Sequence, residues 1–172
     1  MNIVLCGMMG CGKTTVSRAI AGKFACECLD TDALISEKYG EISLIFSAYG
    51  EEYFRDLETE CLQVLKEVNN AVLSVGGGLV LRKKNVEVLK QWGKIVYLRA
   101  EKETLLKRLA GDTTRPLLQG EALSVRLDKL IAERGNAYES VCDFSVSVDD
   151  KSPMEIADEI IELVNLKGAG IE

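Results

Sequence analysis

The stretch that decides the fold is Gly7 to Thr15, which reads GMMGCGKTT and follows the short apolar run Ile3-Val4-Leu5-Cys6. It matches the pattern GxxxxGK[ST], in which glycines let the backbone curl so that successive N–H groups point inward at a phosphate. The residues from Lys13 onward have helical spacing, so the positive end of a helix dipole would face the same phosphate. A strand, a loop and a helix in this order predict an α/β protein that binds a nucleoside triphosphate.

The residue types in this loop indicate ATP as the nucleotide and Mg²⁺ as its metal. Lys13 supplies a positive charge for the outer phosphates, and the Thr14 hydroxyl can bind Mg²⁺. A glycine-rich turn that binds nothing is the alternative interpretation, and the ordered strand, loop, Lys-Thr pair and helix argue against it. We predict that the nucleotide contacts this set of residues: Gly10, Cys11, Gly12, Lys13, Thr14 and Thr15.

Composition narrows the class of protein. At 172 residues the chain is long enough for one α/β domain and too short for two of ordinary size, so we predict a single domain over 1–172. The formal net charge of −6 leaves no extended basic surface for non-specific nucleic-acid binding. No apolar run approaches the roughly 20 residues that cross a bilayer. We expect a soluble monomer with no nucleic-acid or membrane partner.

The cysteine pattern also restricts the chemistry. Six cysteines occur in a chain that has no histidine and no CxxC pair. The absence of histidine and of a CxxC pair disfavours a zinc site or a disulfide. We therefore expect reduced thiols and a cytoplasmic location. The missing histidine excludes histidine-based acid–base catalysis.

Short apolar runs alternate with segments of helical spacing along the whole chain. The predicted strands are 2–6, 26–29, 71–75, 95–98 and 143–148. The predicted helices are 13–24, 32–48, 51–68, 82–91, 101–110, 121–139 and 153–166. This alternation predicts a three-layer sandwich in which helices cover both faces of a five-stranded parallel sheet. The polar segment GDTTRPLLQG at 111–120 contains Pro116 and is predicted to be a long exposed loop.

Residues that follow the second and third strands are candidates for the acceptor site. Ligands of open α/β sheets bind outside the carboxyl ends of the strands. Asp30 and Asp32 follow the second strand. Many P-loop proteins carry a second metal ligand after the third strand, but no aspartate follows that strand here. We therefore expect Asp30, at the end of the neighbouring strand, to reach Mg²⁺ instead. Asp32 can then orient a reacting hydroxyl or accept its proton. Aspartate also caps helices, and a capping role is the alternative for this pair.

The motifs form an ordered set: GMMGCGKTT, LDTD, FRDLE at 54–58, SVGGG at 74–78, TRPLL at 114–118, and ER at 133–134 before a tyrosine. In this order and at these separations they resemble the shikimate kinases over about residues 3 to 166. The resemblance implies a P-loop kinase fold with a lid at about 111–120 and acceptor-binding helices at about 32–68. It also implies transfer of the ATP γ-phosphate to the 3-hydroxyl of shikimate.

Residue roles follow from the same resemblance. Asp30 would lie near the metal and Asp32 on the ring hydroxyls. Arg55 and Arg134 would hold the shikimate carboxylate, with Glu58 bracing the site. The glycine triplet would back the substrate: Gly76, Gly77 and Gly78.

Two further arginines are assigned to the nucleotide by the resemblance. Arg115 would lie over the phosphates from the lid, and Arg108 matches a position associated with the adenine. The segment from Ser147 to Pro153 resembles the adenine loop of the family. We predict that Lys13, Asp32 and Arg115 carry catalysis.

Arginine chemistry supports part of this assignment without the resemblance. The guanidinium presents two parallel N–H donors that suit a carboxylate, so two arginines can hold a small polyhydroxy acid. The alternative is that Arg55 and Arg134 lie on the surface in ordinary ion pairs, for example with Glu51 or Glu58. One departure from the family concerns Asn136, since a proline is usual two residues after the late arginine.

Two other functions remain open at this point. A gluconate-type or nucleotide kinase would share the phosphate loop and the lid, with a different acceptor site. A nucleotide-binding regulatory protein without catalysis could share the fold, although it would have no need of Asp32, Arg55 and Arg115 together. An ordinary aspartate, with a pKa of about 4, cannot deprotonate a sugar-like hydroxyl beforehand, so Asp32 is expected to act mainly by orientation.

Overall fold

The computed structural model describes residues 1–110 and 122–168, which fold around one parallel sheet. Within these residues the sheet has five strands: β1 (Asn2–Cys6), β2 (Glu27–Asp30), β3 (Ala71–Ser74), β4 (Lys94–Arg99) and β5 (Phe144–Ser147). Their order is β2-β3-β1-β4-β5, and neighbouring strands are parallel throughout. The predicted five-stranded parallel sheet is confirmed.

The described part of the chain contains seven α-helices: α1 (Lys13–Phe24), α2 (Thr31–Tyr39), α3 (Ile42–Leu65), α4 (Lys83–Trp92), α5 (Lys102–Leu109), α6 (Leu123–Val141) and α7 (Pro153–Gly168). A short 3-10 turn, Leu79–Leu81, follows β3. The prediction of one helix over 32–48 was wrong. Gly40 has φ 93° and ends α2, while α3 continues past the expected break with a kink at Gly50.

The central strand explains why the core is apolar on both faces of the sheet. β1 pairs with β3 on one side and β4 on the other, and Val4 and Leu5 are completely buried. Val75 N donates to Leu5 O over 3.1 Å, which continues the β1–β3 pairing beyond β3. β2 pairs with β3 in turn, so the loops that follow β1, β2 and β3 begin side by side at the carboxyl ends of the strands.

The described residues bear on the predictions about membrane spans and cysteines, but not on the predicted lid. Across residues 1–110 and 122–168, no helix is both long enough and apolar enough to span a membrane. All six cysteines lie in these ranges as free thiols, and Cys26 precedes β2. The predicted lid at 111–120, with Arg115 and Pro116, lies outside the described residues.

Candidate active site

A cavity of about 510 Å³ opens at the carboxyl ends of β1, β2 and β3. Its wall combines the phosphate loop with side chains from α3, α5 and α6. Cys11 is fully buried in the loop and does not line the cavity. The cavity brings together most of the predicted site residues: Gly10, Gly12, Lys13, Thr14, Thr15, Asp30, Asp32, Arg55, Gly76, Gly77, Gly78, Arg108 and Arg134.

The phosphate loop owes its shape to glycine. Gly10 has φ 81° and Gly12 has φ 99°, and side chains other than glycine rarely adopt such angles. A Cβ added at Gly10 would lie 2.9 Å from Cγ of Leu109, so α5 packs directly on the loop. Lys13 Nζ donates to Gly7 O over 2.9 Å and to Met8 O over 3.1 Å, which holds the ammonium over the loop.

The Arg108 side chain binds main-chain carbonyl groups of the phosphate loop. Its Nη1 donates to Cys11 O over 3.0 Å and to Gly10 O over 3.4 Å. Sequence reasoning assigned Arg108 to the adenine and did not find these two contacts. No local pattern could have indicated them, because the hydrogen bonds join residues nearly 100 positions apart. The adenine contact stays a prediction.

Thr14 and Asp30, the two predicted metal ligands, lie in hydrogen-bond contact in the cavity wall. Thr14 Oγ1 donates to Asp30 Oδ2 over 2.8 Å. Asp30 Oδ1 accepts from the backbone N–H groups of Asp32 and Ala33 and caps α2. The capping alternative therefore applies to Asp30 and not to Asp32. A hydroxyl and a carboxylate are both oxygen donors, which suits Mg²⁺.

Arg55 is buried and makes ion pairs within the cavity wall. Only 6% of its surface is exposed, and its Nη1 donates to Glu58 Oε2 over 2.9 Å. Its Nη2 donates to Glu51 Oε1 over 2.6 Å. The ion pairs with Glu51 and Glu58 that the alternative interpretation predicted are present, but its prediction that Arg55 lies on the surface was wrong. Burial raises the pKa of Glu58 to about 7, against the lowering influence of the Arg55 guanidinium.

Arg134 and Tyr138 lie one turn apart on α6, and both are buried. Arg134 Nε has no hydrogen-bond partner among the described residues, although Arg134 lines the cavity. Tyr138 Oη donates to Gly77 O over 2.6 Å, and Arg134 Nη1 also lies against Gly77. The helix runs without interruption through Gly135 and Asn136, the position at which the family usually has a proline. Tyr138 was named in the motif, but its contact with Gly77 was not predicted.

Gly76 and Gly78 are required by close approach and not by unusual dihedral angles. A Cβ at Gly76 would lie 2.5 Å from Glu58 Oε1 and 2.8 Å from Asp32 Oδ1. A Cβ at Gly78 would lie 2.3 Å from Arg55 Cζ. Since real Cβ atoms do not come this close, any side chain here would displace a charged group of the cavity wall.

This chain has the fold of a P-loop kinase. In that fold a phosphate-binding loop and a cavity for the acceptor lie at the carboxyl end of a five-stranded parallel sheet. A family model described as shikimate kinase matches residues 9–165, and the chain belongs to the shikimate kinase family. The family uses ATP as its co-substrate.

Individual relatives agree with this placement. The chain is 42% identical over 164 residues to a shikimate kinase of Caldicellulosiruptor bescii, with 94% of each chain covered. It superimposes on a solved shikimate kinase from Acinetobacter baumannii in complex with shikimate, with a TM-score of 0.93 and 38% identity over 96% of this chain and 93% of that one. A gluconokinase from Sinorhizobium meliloti shares the fold alone, at 19% identity, TM-score 0.66 and coverage of 99% and 97%.

Proposed function

We propose that the chain transfers the γ-phosphate of ATP to the 3-hydroxyl of shikimate, giving shikimate 3-phosphate and ADP. The observation that carries the proposal is that two buried arginines, Arg55 and Arg134, line one cavity together with Asp32. A carboxylate on a small ring of hydroxyls suits this combination, because guanidinium groups bind the acid and a carboxylate binds the hydroxyls. The A. baumannii relative was solved with shikimate bound.

The nucleotide half of the site would hold the phosphates mainly through the backbone. The N–H groups of the loop and the Lys13 ammonium contact the outer phosphates. Thr14 and Asp30 would hold Mg²⁺, which neutralises charge on the phosphate oxygens when bound. Arg115, from the proposed lid at 111–120, would add charge stabilisation to the transferring group. In this proposal 1–172 forms a single domain and acts as a cytoplasmic monomer.

The acceptor half would place the hydroxyl for attack. Asp32 Oδ1 lies beside the glycine triplet and can accept a hydrogen bond from the reacting hydroxyl. In a loose phosphoryl-transfer transition state the nucleophile carries little charge until late, so Asp32 orients the hydroxyl and takes its proton as the new bond forms. Arg55 and Arg134 hold the other end of the substrate and so limit its rotation.

A coupled ADP-release assay tests the proposal with four acceptors side by side: shikimate, quinate, gluconate and nucleoside monophosphates. We expect the largest kcat/KM for shikimate. Arg82→Lys is a suitable control variant, because Arg82 pairs with Asp56 and Glu52 and does not line the cavity. ADP release that does not respond to shikimate, or that responds more strongly to another acceptor, would disprove the proposal.

A further inference from the structure

We propose that Tyr138 is a positioning residue for the acceptor: its hydroxyl holds Gly77 by a hydrogen bond beside the Arg134 guanidinium, and so sets where the substrate carboxylate lies relative to the phosphate loop. This inference rests on the proposed function. Tyr138 does not line the cavity and would not touch the substrate. It acts through two groups that do line it.

The hydroxyl binds the acceptor wall at Gly77, next to Arg134. Tyr138 Oη donates to Gly77 O over 2.6 Å. This bond connects α6 to the loop after β3, two parts of the chain that are about 60 residues apart. An ideal Cβ at Gly77 would lie 3.3 Å from Tyr138 Oη and 3.5 Å from Arg134 Nη1, so both side chains lie against Gly77.

The position of the ring is fixed by the core. Tyr138 is completely buried and stacks on Tyr97 of β4, with ring centroids 5.2 Å apart. Burial raises the pKa of Tyr138 further above neutrality, which keeps the hydroxyl a donor to Gly77. Tyr138 Oη also lies 3.8 Å from Met8 Sδ in the loop that binds the phosphates. The hydroxyl is thus held where the two halves of the site meet.

Helix geometry gives the connection its direction. Arg134 and Tyr138 are four residues apart, so they lie on one face of α6 and point to the same loop. Without the hydroxyl, Gly77 O would lose a donor in a buried position, and Arg134 would lose the polar group that holds the loop beside it. Both groups would then be free to shift within the cavity wall, while the phosphate loop would keep its own backbone contacts.

The experiment compares Tyr138→Phe with Tyr97→Phe, which removes a hydroxyl from the other ring of the same stack. Calorimetry gives the Kd of shikimate and of ADP for each variant, and steady-state kinetics give KM and kcat. We expect Tyr138→Phe to raise the shikimate Kd and KM by about 5- to 30-fold, the range for a lost hydrogen bond that leaves a buried acceptor unpaired. ADP binding should stay within about twofold, and Tyr97→Phe should change neither ligand by more than about twofold, because its hydroxyl does not contact Gly77.

A double-mutant cycle with Arg134→Lys separates positioning from general destabilisation. If Tyr138 acts through Arg134, the loss of shikimate affinity caused by Arg134→Lys should be at least about fivefold smaller in the Tyr138→Phe background. Additive effects, an unchanged shikimate Kd, equal weakening of both ligands, or an unfolded Tyr138→Phe variant would each overturn the proposal. Failure of the unmodified protein to bind shikimate would instead count against the proposed function.

Discussion

The two halves of the cavity are built in different ways. The phosphate half is one continuous stretch, Gly7 to Thr15, whose glycines adopt left-handed angles and whose lysine bonds to its own loop. The acceptor half consists of buried side chains from separate elements, with Arg55 and Glu58 on α3 and Arg134 on α6. The first is a backbone site, and the second is a side-chain site assembled by the fold.

This difference indicates what each half can recognise. Backbone N–H groups and a point charge bind phosphates of any nucleotide, so the phosphate half is suited to the common chemistry of the reaction. Buried, paired side chains accept a specific arrangement of hydroxyl and carboxylate groups, because a mismatched ligand would leave them unsatisfied. Changes in the acceptor half should therefore affect one substrate, and changes in the phosphate half should affect the nucleotide.

The largest effect is expected for Asp32→Asn. The amide keeps the shape of the carboxylate and much of its hydrogen bonding, but it cannot accept the proton, so kcat should fall by about 100- to 10,000-fold. The Kd values of both substrates should change little, and circular dichroism should show an intact fold. Asp56→Asn is the matched control, since Asp56 is exposed and pairs with Arg82. Near-normal turnover in Asp32→Asn would remove the proposed proton transfer.

Lys13→Met should act on the phosphate half. Removing the ammonium takes away charge stabilisation of the transferring group, so we expect kcat to fall by about 100- to 1,000-fold, together with weaker ATP binding. Shikimate binding, measured by calorimetry without nucleotide, should be unchanged. Lys23→Met provides the control at the other end of α1, where Lys23 pairs with Asp158. A loss of shikimate binding in Lys13→Met would show that the two halves are not separable.

Gly78→Ala should act on the acceptor half alone. The new methyl group would overlap the Arg55 guanidinium, so Arg55 must move and shikimate affinity should fall by about 10- to 100-fold, as for lost hydrogen bonds to a charged group. ATP affinity should not change. The control is Gly135→Ala, because no atom lies within 4 Å of a Cβ there. In the middle of α6 this control should stabilise the protein by about 0.5–1 kcal/mol. Equal losses for both substrates in Gly78→Ala would contradict the separation.

The smallest effect concerns pH and Glu58. Burial raises the pKa of Glu58 from 4.5 in the unfolded chain to about 7, so the folded state binds this proton more tightly. The contribution of Glu58 to stability is therefore greatest below pH 4.5 and is lost as the pH rises to about 7. The free energy of unfolding should be measured with urea at several pH values between pH 5 and pH 8. Its slope against pH should be more positive in Glu58→Gln than in the unmodified protein, by about 1 kcal/mol per pH unit at most. Glu87→Gln, on an exposed face of α4, should leave the slope unchanged. An unchanged slope in Glu58→Gln would mean that Glu58 stays ionised in the folded protein.

The same difference explains how much could be predicted from the sequence. The phosphate half is a local motif, and the strands around it are continuous apolar runs, so the sheet followed directly from residues 2–24 and the alternating pattern. In the acceptor half, the convergence of Arg55 and Arg134 came from a family resemblance and not from spacing. Their side chains are buried near each other because of the fold, which no window of the sequence contains.

The end of α2 and some hydrogen bonds of the site were not predicted, because they too depend on the fold and not on a local pattern. The apolar spacing of 32–48 continues across Gly40, so periodicity alone could not show that this residue turns left-handed and ends α2. The contacts of Arg108 with the phosphate loop, and of Tyr138 with Gly77, are hydrogen bonds to backbone carbonyl groups. Carbonyl groups are present at every residue, so nothing in the sequence marks the ones that accept a bond.

The pairing that continues past the end of β3, from Val75 N to Leu5 O, has a consequence for how acceptor preference could change during evolution. Because β1 and β3 are adjacent strands, about 4.8 Å apart, the starting points of the donor and acceptor loops are set by main-chain hydrogen bonds and not by side chains. Substitutions on α3 and α6 can therefore reshape the acceptor cavity while the transfer distance stays the same. A new acceptor would need new side chains on two helices, with no rebuilding of the sheet.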